Sequence, residues 1–413
     1  MSQKSTDQQD IKPMPIVKGR TLTVTCSACG GGLSYEAGRA SMTCTFCDHE
    51  VALPDKPVLG DSLERDLKEL LEQTHKDGLP GQKVLACRKC GATTTVEGQR
   101  ISGRCAFCGS HLVEERDSQT DRVRPTALIP FQVERDKATE MFRKWTGSLW
   151  LRPTSLKTLA KVAAIEGVYT PFWTFDAKAR SEWEAERGDY YSTGGSDSEQ
   201  KVRWTPVSGI HETTYDDILI CGSQGLSADL VRRIEPFNTR DGLVAYKPDF
   251  LSGWAAEQYQ VAPKESWNQG KKEILDREQI GCENAVPGDI HRGLKVFTDY
   301  SEVTWKHVLL PVWIAAYEYR GQSYRFLVNG ETGRVSGEAP YSWWKIGGLV
   351  VSVFLAIYLL LTLMNDGTQS PSDVLNDSLM YSGYLAAAGG FRYLVSVRNS
   401  TVLKLREFYR QFQ

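Results

Sequence analysis

Net charge is nearly absent from this chain: 49 lysines and arginines face 51 aspartates and glutamates, a formal net of −2 over 413 residues. A surface that grips nucleic-acid phosphates needs a surplus of positive charge on one face, and the overall balance offers none. The motifs that carry common enzyme chemistry are missing too. The sequence has no Gly-x4-Gly-Lys-[Ser/Thr] phosphate loop, no His-Glu-x2-His, no Gly-x-Ser-x-Gly and no Gly-x-Gly-x2-Gly. Histidine is scarce, at six. His211-Glu212 and Asp216-Asp217 are near enough in sequence for acid–base or metal work, but in a strand-and-turn setting such residues are usually solvated. His291 and His307 have no partner nearby in sequence. The expectation is a protein that is not an enzyme. Residues 1–20 also lack the apolar run of a signal peptide and read as a polar, disordered tail.

What the chain does contain is a duplicated cysteine pattern. Eight of the ten cysteines form two copies of Cys-x2-Cys-x14-Cys-x2-Cys: Cys26, Cys29, Cys44 and Cys47, then Cys87, Cys90, Cys105 and Cys108. Gly30 and Gly91, and Phe46 and Phe107, fall in register between the copies. Four soft thiolates from two knuckles are the donor set that tetrahedral Zn²⁺ prefers. Gly30, Gly91 and Gly109 suit the tight turn that closes each knuckle; Asp48 stands where the fourth glycine would be. Neither ribbon, at 21–56 and 83–115, is long enough to bury a core, so metal must supply much of its stability. Four protein ligands leave no open coordination position, which makes both zincs structural. His49 and His111 adjoin the last cysteines but are redundant as ligands. Cys221 and Cys282 stand alone and read as buried small residues. Thiolates that bind metal belong to a reducing compartment, so the ribbons are expected in the cytoplasm. Residues 20–115 carry 11 basic and 13 acidic side chains, which favours a protein partner over nucleic acid.

Ile346 to Met364 runs without a charged residue, about 28 Å as a helix. Tyr341, Trp343, Trp344 and Lys345 precede it, the anchors of a headgroup boundary. The segment 341–364 therefore reads as a transmembrane helix. The following loop, 365–378, has Asp366, Asp373 and Asp377 but no lysine or arginine, and reads as external. Residues 379–397 contain Arg392 as their only charge and read as a second span; the alternative is an amphipathic segment lying on the surface. The tail 398–413 carries Arg398, Lys404, Arg406 and Arg410 and is expected inside. This arrangement places the protein in the plasma (inner) membrane, with ribbons and body on the cytoplasmic side.

Residues 57–82 between the ribbons read as an amphipathic linker helix over Asp61–His75, with Leu63, Leu67, Leu70 and Leu71 on one face. Residues 116–125 look like a charged linker. The stretch 126–340 holds nine of the eleven tryptophans and is long enough for a real core. Helical periodicity appears at Asp136–Thr146 and Lys264–Ile280. Strand patterns appear at Val168–Ala179, Val202–Val207, Leu294–Thr298, Val303–Tyr319 and Ser323–Val328, and Asn329-Gly330 with Thr332-Gly333 signals a hairpin turn. Tyr169-Thr170-Pro171-Phe172-Trp173 and Leu309-Leu310-Pro311-Val312-Trp313 echo one another, a faint internal duplication. The fold class expected is α+β: two small β zinc ribbons, a body rich in antiparallel sheet, and one or two C-terminal transmembrane helices.

The eight cysteines, the aromatic body, the strand-turn Tyr324–Gly333 and the apolar segment after it together resemble a family of bacterial membrane-anchored tandem zinc-ribbon proteins. Its members carry labels such as TFIIB-type zinc-ribbon protein or primosomal protein N′ (superfamily II helicase)-like. The resemblance implies zinc at the eight cysteines and a recruitment platform at the membrane. It also implies soluble partners of the phage-shock-protein-A or SPFH-domain kind, as in envelope-stress machinery. A helicase motor is not implied, because its phosphate loop and acidic Mg²⁺ motif are missing. The competing expectation is a membrane-tethered nucleic-acid-binding protein associated with replication.

Overall fold

A computed structural model describes residues 24–38, 41–44, 46–52, 63–72, 83–96, 105–110, 113–117, 122–155, 165–192, 200–251, 254–320 and 322–364. The expected tail 1–20, external loop 365–378, second span 379–397 and basic tail 398–413 lie outside them. Two compact units emerge, one from Met1–Ser148 with Lys157–Ala339 and one from Leu149–Leu156 with Pro340–Gln413, as far as their residues are described.

The first ribbon is an antiparallel four-stranded sheet of β1 (Val24–Thr25), β2 (Gly32–Tyr35), β3 (Ser41–Cys44) and β4 (Glu50–Ala52). The second is built from β6 (Lys83–Cys87), β7 (Thr93–Val96) and β8 (Val113–Asp117), and it extends the sheet of the body. Its strand β7 pairs with β13 (Ala255–Gln258) through Thr95↔Ala256. The first ribbon docks on the body through Tyr35, whose hydroxyl donates to the Phe131 carbonyl at 2.9 Å and whose carbonyl accepts from Trp254 Nε1 at 3.0 Å.

Between the ribbons the helix begins later than its periodicity predicts. Arg65–Asp66 form strand β5, paired with Thr304 and Trp305, and among the described residues Leu67–Glu72 are helical, as α1. The Asp66 carboxylate accepts the Lys68 N–H at 2.8 Å and so starts the helix there. Upstream, Glu64 is drawn to the body's buried Lys306. Leu67 and Leu70 face the core, as the apolar stripe requires.

The body consists of two interlocked copies of one β-α-β-β unit. The first is β9 (Ala127–Leu128), α2 (Arg135–Ser148), β10 (Ile165–Ser192) and β11 (Gln200–Cys221); the second is β13, α4 (Pro263–Ala285), β14 (Ile290–Tyr319) and β15 (Gln322–Asn329). Between them come α3 (Ala228–Arg232) and β12 (Val244–Ala245), which pairs with β9. The units exchange their first strands: β9 runs parallel to β14, and β13 parallel to β10. The long strands β10 and β14 pair antiparallel, with Pro171 opposite Leu309 and Tyr169 opposite Pro311, so the two echoing motifs cross at one point. Matching hydrogen bonds repeat on both sides. Gly222 N–H donates to Pro171 O and Gly330 N–H to Pro311 O, each at 2.8 Å. Trp173 Nε1 donates to Val261 O at 3.1 Å, and Trp313 Nε1 to Val133 O at 2.8 Å. Phe131-Gln132-Val133 thus corresponds to Tyr259-Gln260-Val261. Each proline sits where its strand changes neighbours, β13 to β11 for Pro171 and β9 to β15 for Pro311, a place where a missing N–H breaks no ladder.

The strand patterns merge into longer strands than the sequence suggests. Leu294–Thr298 and Val303–Tyr319 both belong to β14. The distal parts of β10, β11 and β14 form a sheet covered on one side by α4, whose buried Ser266, Gly270, Ile274, Glu278 and Cys282 recur every fourth residue. Ala177, Ala179, Ser181, Trp183 and Ala185 of β10 alternate inward, the period-2 pattern of a sheet with one solvated face. At the other end Asn329 N–H and Arg334 O close the β15–β16 hairpin (β16, Val335–Gly337) at 2.8 Å. Gly333 takes φ 76° in that turn.

In the other unit, α5 (Trp343–Met364) is apolar and long enough to cross a membrane, and none of the window Trp343–Leu360 is buried.

Candidate metal centres

Each ribbon's fold brings its four predicted cysteines together. In the first, Cys26 and Cys47 sulfurs stand 3.8 Å apart and Cys29 and Cys44 sulfurs 3.5 Å. In the second, Cys87–Cys108 and Cys90–Cys105 are both 3.6 Å. Zn–S bonds of about 2.3 Å in a tetrahedron set sulfurs about 3.8 Å apart, so both cages fit such an ion. All four sulfurs of each group lie within 4.8 Å of one another.

The knuckles show why the spacing works. In each, the first cysteine's carbonyl accepts an N–H four residues on: Gly30 to Cys26 at 2.8 Å, Gly91 to Cys87 at 2.9 Å, Gly109 to Cys105 at 2.8 Å and Asp48 to Cys44 at 3.1 Å. Those closing residues have φ of 74°, 80°, 70° and 54° in the same order, the left-handed region that glycine enters freely and aspartate tolerates. Asp48 therefore adopts the glycine conformation it replaces. Ala28 and Gly31 N–H groups each point at a sulfur of the first ribbon at 3.4 Å, which favours thiolate. Crowding drives the second cage's acidities apart. A hydrogen bond from Cys105 brings Cys90 down to about 5, and the same contact pushes the Cys105 thiol up. A dication removes that conflict by holding all four as thiolates.

His49 takes no part beyond its backbone: its carbonyl accepts Cys44 N–H at 2.9 Å, and the metal-capable group contains cysteines alone. His111 lies outside the described residues. Cys221 is half-buried and Cys282 buried.

The duplicated phenylalanines differ sharply in setting. Phe107 is fully buried, its carbonyl accepting from Arg325 Nε at 2.9 Å. A Cβ on Gly225 would come within 2.9 Å of its ring, so this glycine admits ribbon 2 to the body. Phe46, at the matching place in ribbon 1, is 80% exposed.

Three polar clusters form around buried charged side chains, and of their members only His211 and Asp217 stand out in the sequence. Lys306, wholly buried, lies 2.8 Å from Asp217, 3.4 Å from Glu64 and 3.8 Å from Asp176, tying the inter-ribbon segment to the body. Glu278 accepts from Ser181 Oγ at 2.6 Å and Tyr215 OH at 2.7 Å, and pairs with His211 Nδ1 at 3.0 Å. Burial works against its charge, but these bonds outweigh it and hold the carboxyl below its usual range. His211 and Asp217 thus belong to different clusters, and Glu212 pairs with Arg180. Under the second ribbon, burial pushes Glu257 well above the carboxylate range while Ser223 Oγ donates to it at 2.6 Å. For Lys306 and Glu257 the one available signal was position, since both stand at inward places in strands.

No protein-family model matches the chain, and no solved structure matches it. An uncharacterized protein of Bacillus subtilis (strain 168), YdjG, is 25% identical over 370 residues, which span 84% of this chain and 99% of that protein.

Proposed function

We propose that the protein is an adaptor anchored in the plasma membrane by α5, with zinc in both cysteine cages and its ribbons held on the cytoplasmic side to recruit a soluble protein. The observation that carries this reading is the contrast between Phe107 and Phe46. Ribbon 2 spends its knuckle phenylalanine on the body, whereas ribbon 1 leaves the same side chain 80% exposed. Exposed aromatics set in a rigid turn are the usual anchors of protein interfaces. The near-neutral ribbons and the apolar helix support the same reading, since tethering raises the effective concentration of even a weak contact. The resemblance to tandem zinc-ribbon proteins points to a phage-shock-protein-A-like or SPFH-domain partner in membrane maintenance.

The test sets protein binding against nucleic-acid binding. Intact purified protein is titrated with duplex and single-stranded DNA across a salt series, and the membrane-bound protein is crosslinked in cells and its partners identified. The expected outcome is a specific protein crosslink and no DNA binding at physiological salt. Tight DNA binding that weakens steeply with salt would instead support the nucleic-acid reading.

A further inference from the structure

The unit that contains α5 also contains a turn nearly two hundred residues earlier in the chain. Arg152 N–H donates to Leu149 O at 3.2 Å, closing the turn Leu149-Trp150-Leu151-Arg152. That turn is fastened to the start of α5 at three points. Ser342, the residue just before the helix, donates its N–H to Leu151 O at 3.0 Å. Lys345 Nζ donates to Arg152 O at 2.8 Å. The Arg152 guanidinium lies over the Tyr341 ring, 3.5 Å from its centroid. Ser342 itself accepts from Lys345 and Ile346 N–H, each at 3.0 Å, so the turn is joined to the helix's first residues.

Aromatic exposure is concentrated here. Trp150 is 64% exposed, Trp343 77% and Trp344 93%. Such rings waste apolar area in water, yet an indole with one polar N–H matches the headgroup layer of a bilayer. Lysine and arginine beside them are the basic companions expected at that depth. A turn tied to the first helical residues lies within about one helical pitch, ~5 Å, of the depth at which they enter.

We propose that the turn Leu149–Arg152 is a second membrane-contact element, seating Trp150 in the headgroup layer of the leaflet where α5 enters. This rests on the reading of α5 as a span and adds a lipid-facing site to it. A helix with a single point of attachment swivels freely about its first residue; a second contact fixes the tilt and rotation of whatever it carries.

The intact protein is reconstituted in phosphatidylcholine nanodiscs with the fluorescent residue acridonylalanine replacing Trp150 or, separately, Leu355 in the middle of α5. Quenching is compared between lipids bearing a nitroxide on the headgroup and lipids bearing it near the acyl-chain terminus. At position 150 the headgroup label should quench more strongly, by roughly twofold or more, and at 355 the order should reverse. Quenching at 355 without any at 150 overturns the proposal and leaves the anchor standing. Absence of quenching at both positions removes the anchor and this proposal with it.

Discussion

His307 gives its Nδ1 proton to the Val123 carbonyl at 3.1 Å and stacks on Trp173 with ring centroids 4.6 Å apart. Burial lowers its pKa from 6.5 to about 4. The sign follows: below pH 6.5 the unfolded chain binds a proton that the folded protein refuses. The stabilisation is therefore complete above the unfolded pKa and is lost as pH falls toward the folded one. Over that window the change is on the order of 3 kcal/mol. His307→Gln removes the titration. Denaturant midpoints of parent and variant should converge as pH falls from about 7 to about 4.5, with acid effects on the ribbons common to both. A gap that stays constant with pH contradicts the assignment. Nothing local revealed this role, because Val123 is 184 positions away. Asp48, by contrast, was legible: the register of the duplicate ribbons marked it as a glycine site, and its φ of 54° agrees.

Among elements, the two ribbons share a metal chemistry but differ in their attachment. Ribbon 2 continues the body's sheet through β7 and β13 and buries Phe107 in it, while ribbon 1 keeps its own four-stranded sheet. Cys26→Ser and Cys87→Ser should each remove one of two bound metal ions. Only Cys87→Ser should also lower the melting temperature of the body, by several degrees, since a metal-dependent module is coupled to its sheet. Metal analysis and thermal denaturation of the purified variants check both expectations. Equal melting for the two variants would show that ribbon 2 is not integrated. The cysteine cages were readable because ligand spacing is local. The exchange of β9 and β13 between the two body units was not, since it depends on pairing between residues as distant as Ala127 and Val308, or Val168 and Ala255. Only the Pro-x-Trp echo hinted at it. The late start of the linker helix is hidden because a leucine stripe cannot show that Arg65–Asp66 pair with β14.

At the scale of the molecule, one unit bears the two cysteine cages and the other an apolar helix long enough to cross a membrane, with Trp343 and Trp344 exposed at its start. On the function proposed, ribbon 1 presents Phe46 to a soluble partner at the membrane. Phe46→Ala leaves the thiolates and the anchor intact, so protein level, metal content and membrane fractionation should match the parent. The decisive measurement is the fluorescence of the tagged crosslinked partner at the membrane of cells making either parent or Phe46→Ala protein. The account expects membrane-bound partner to fall by about tenfold or more, the effect of losing an interface anchor of roughly 1.4 kcal/mol or greater. Partner retained at the parental level by Phe46→Ala would contradict it.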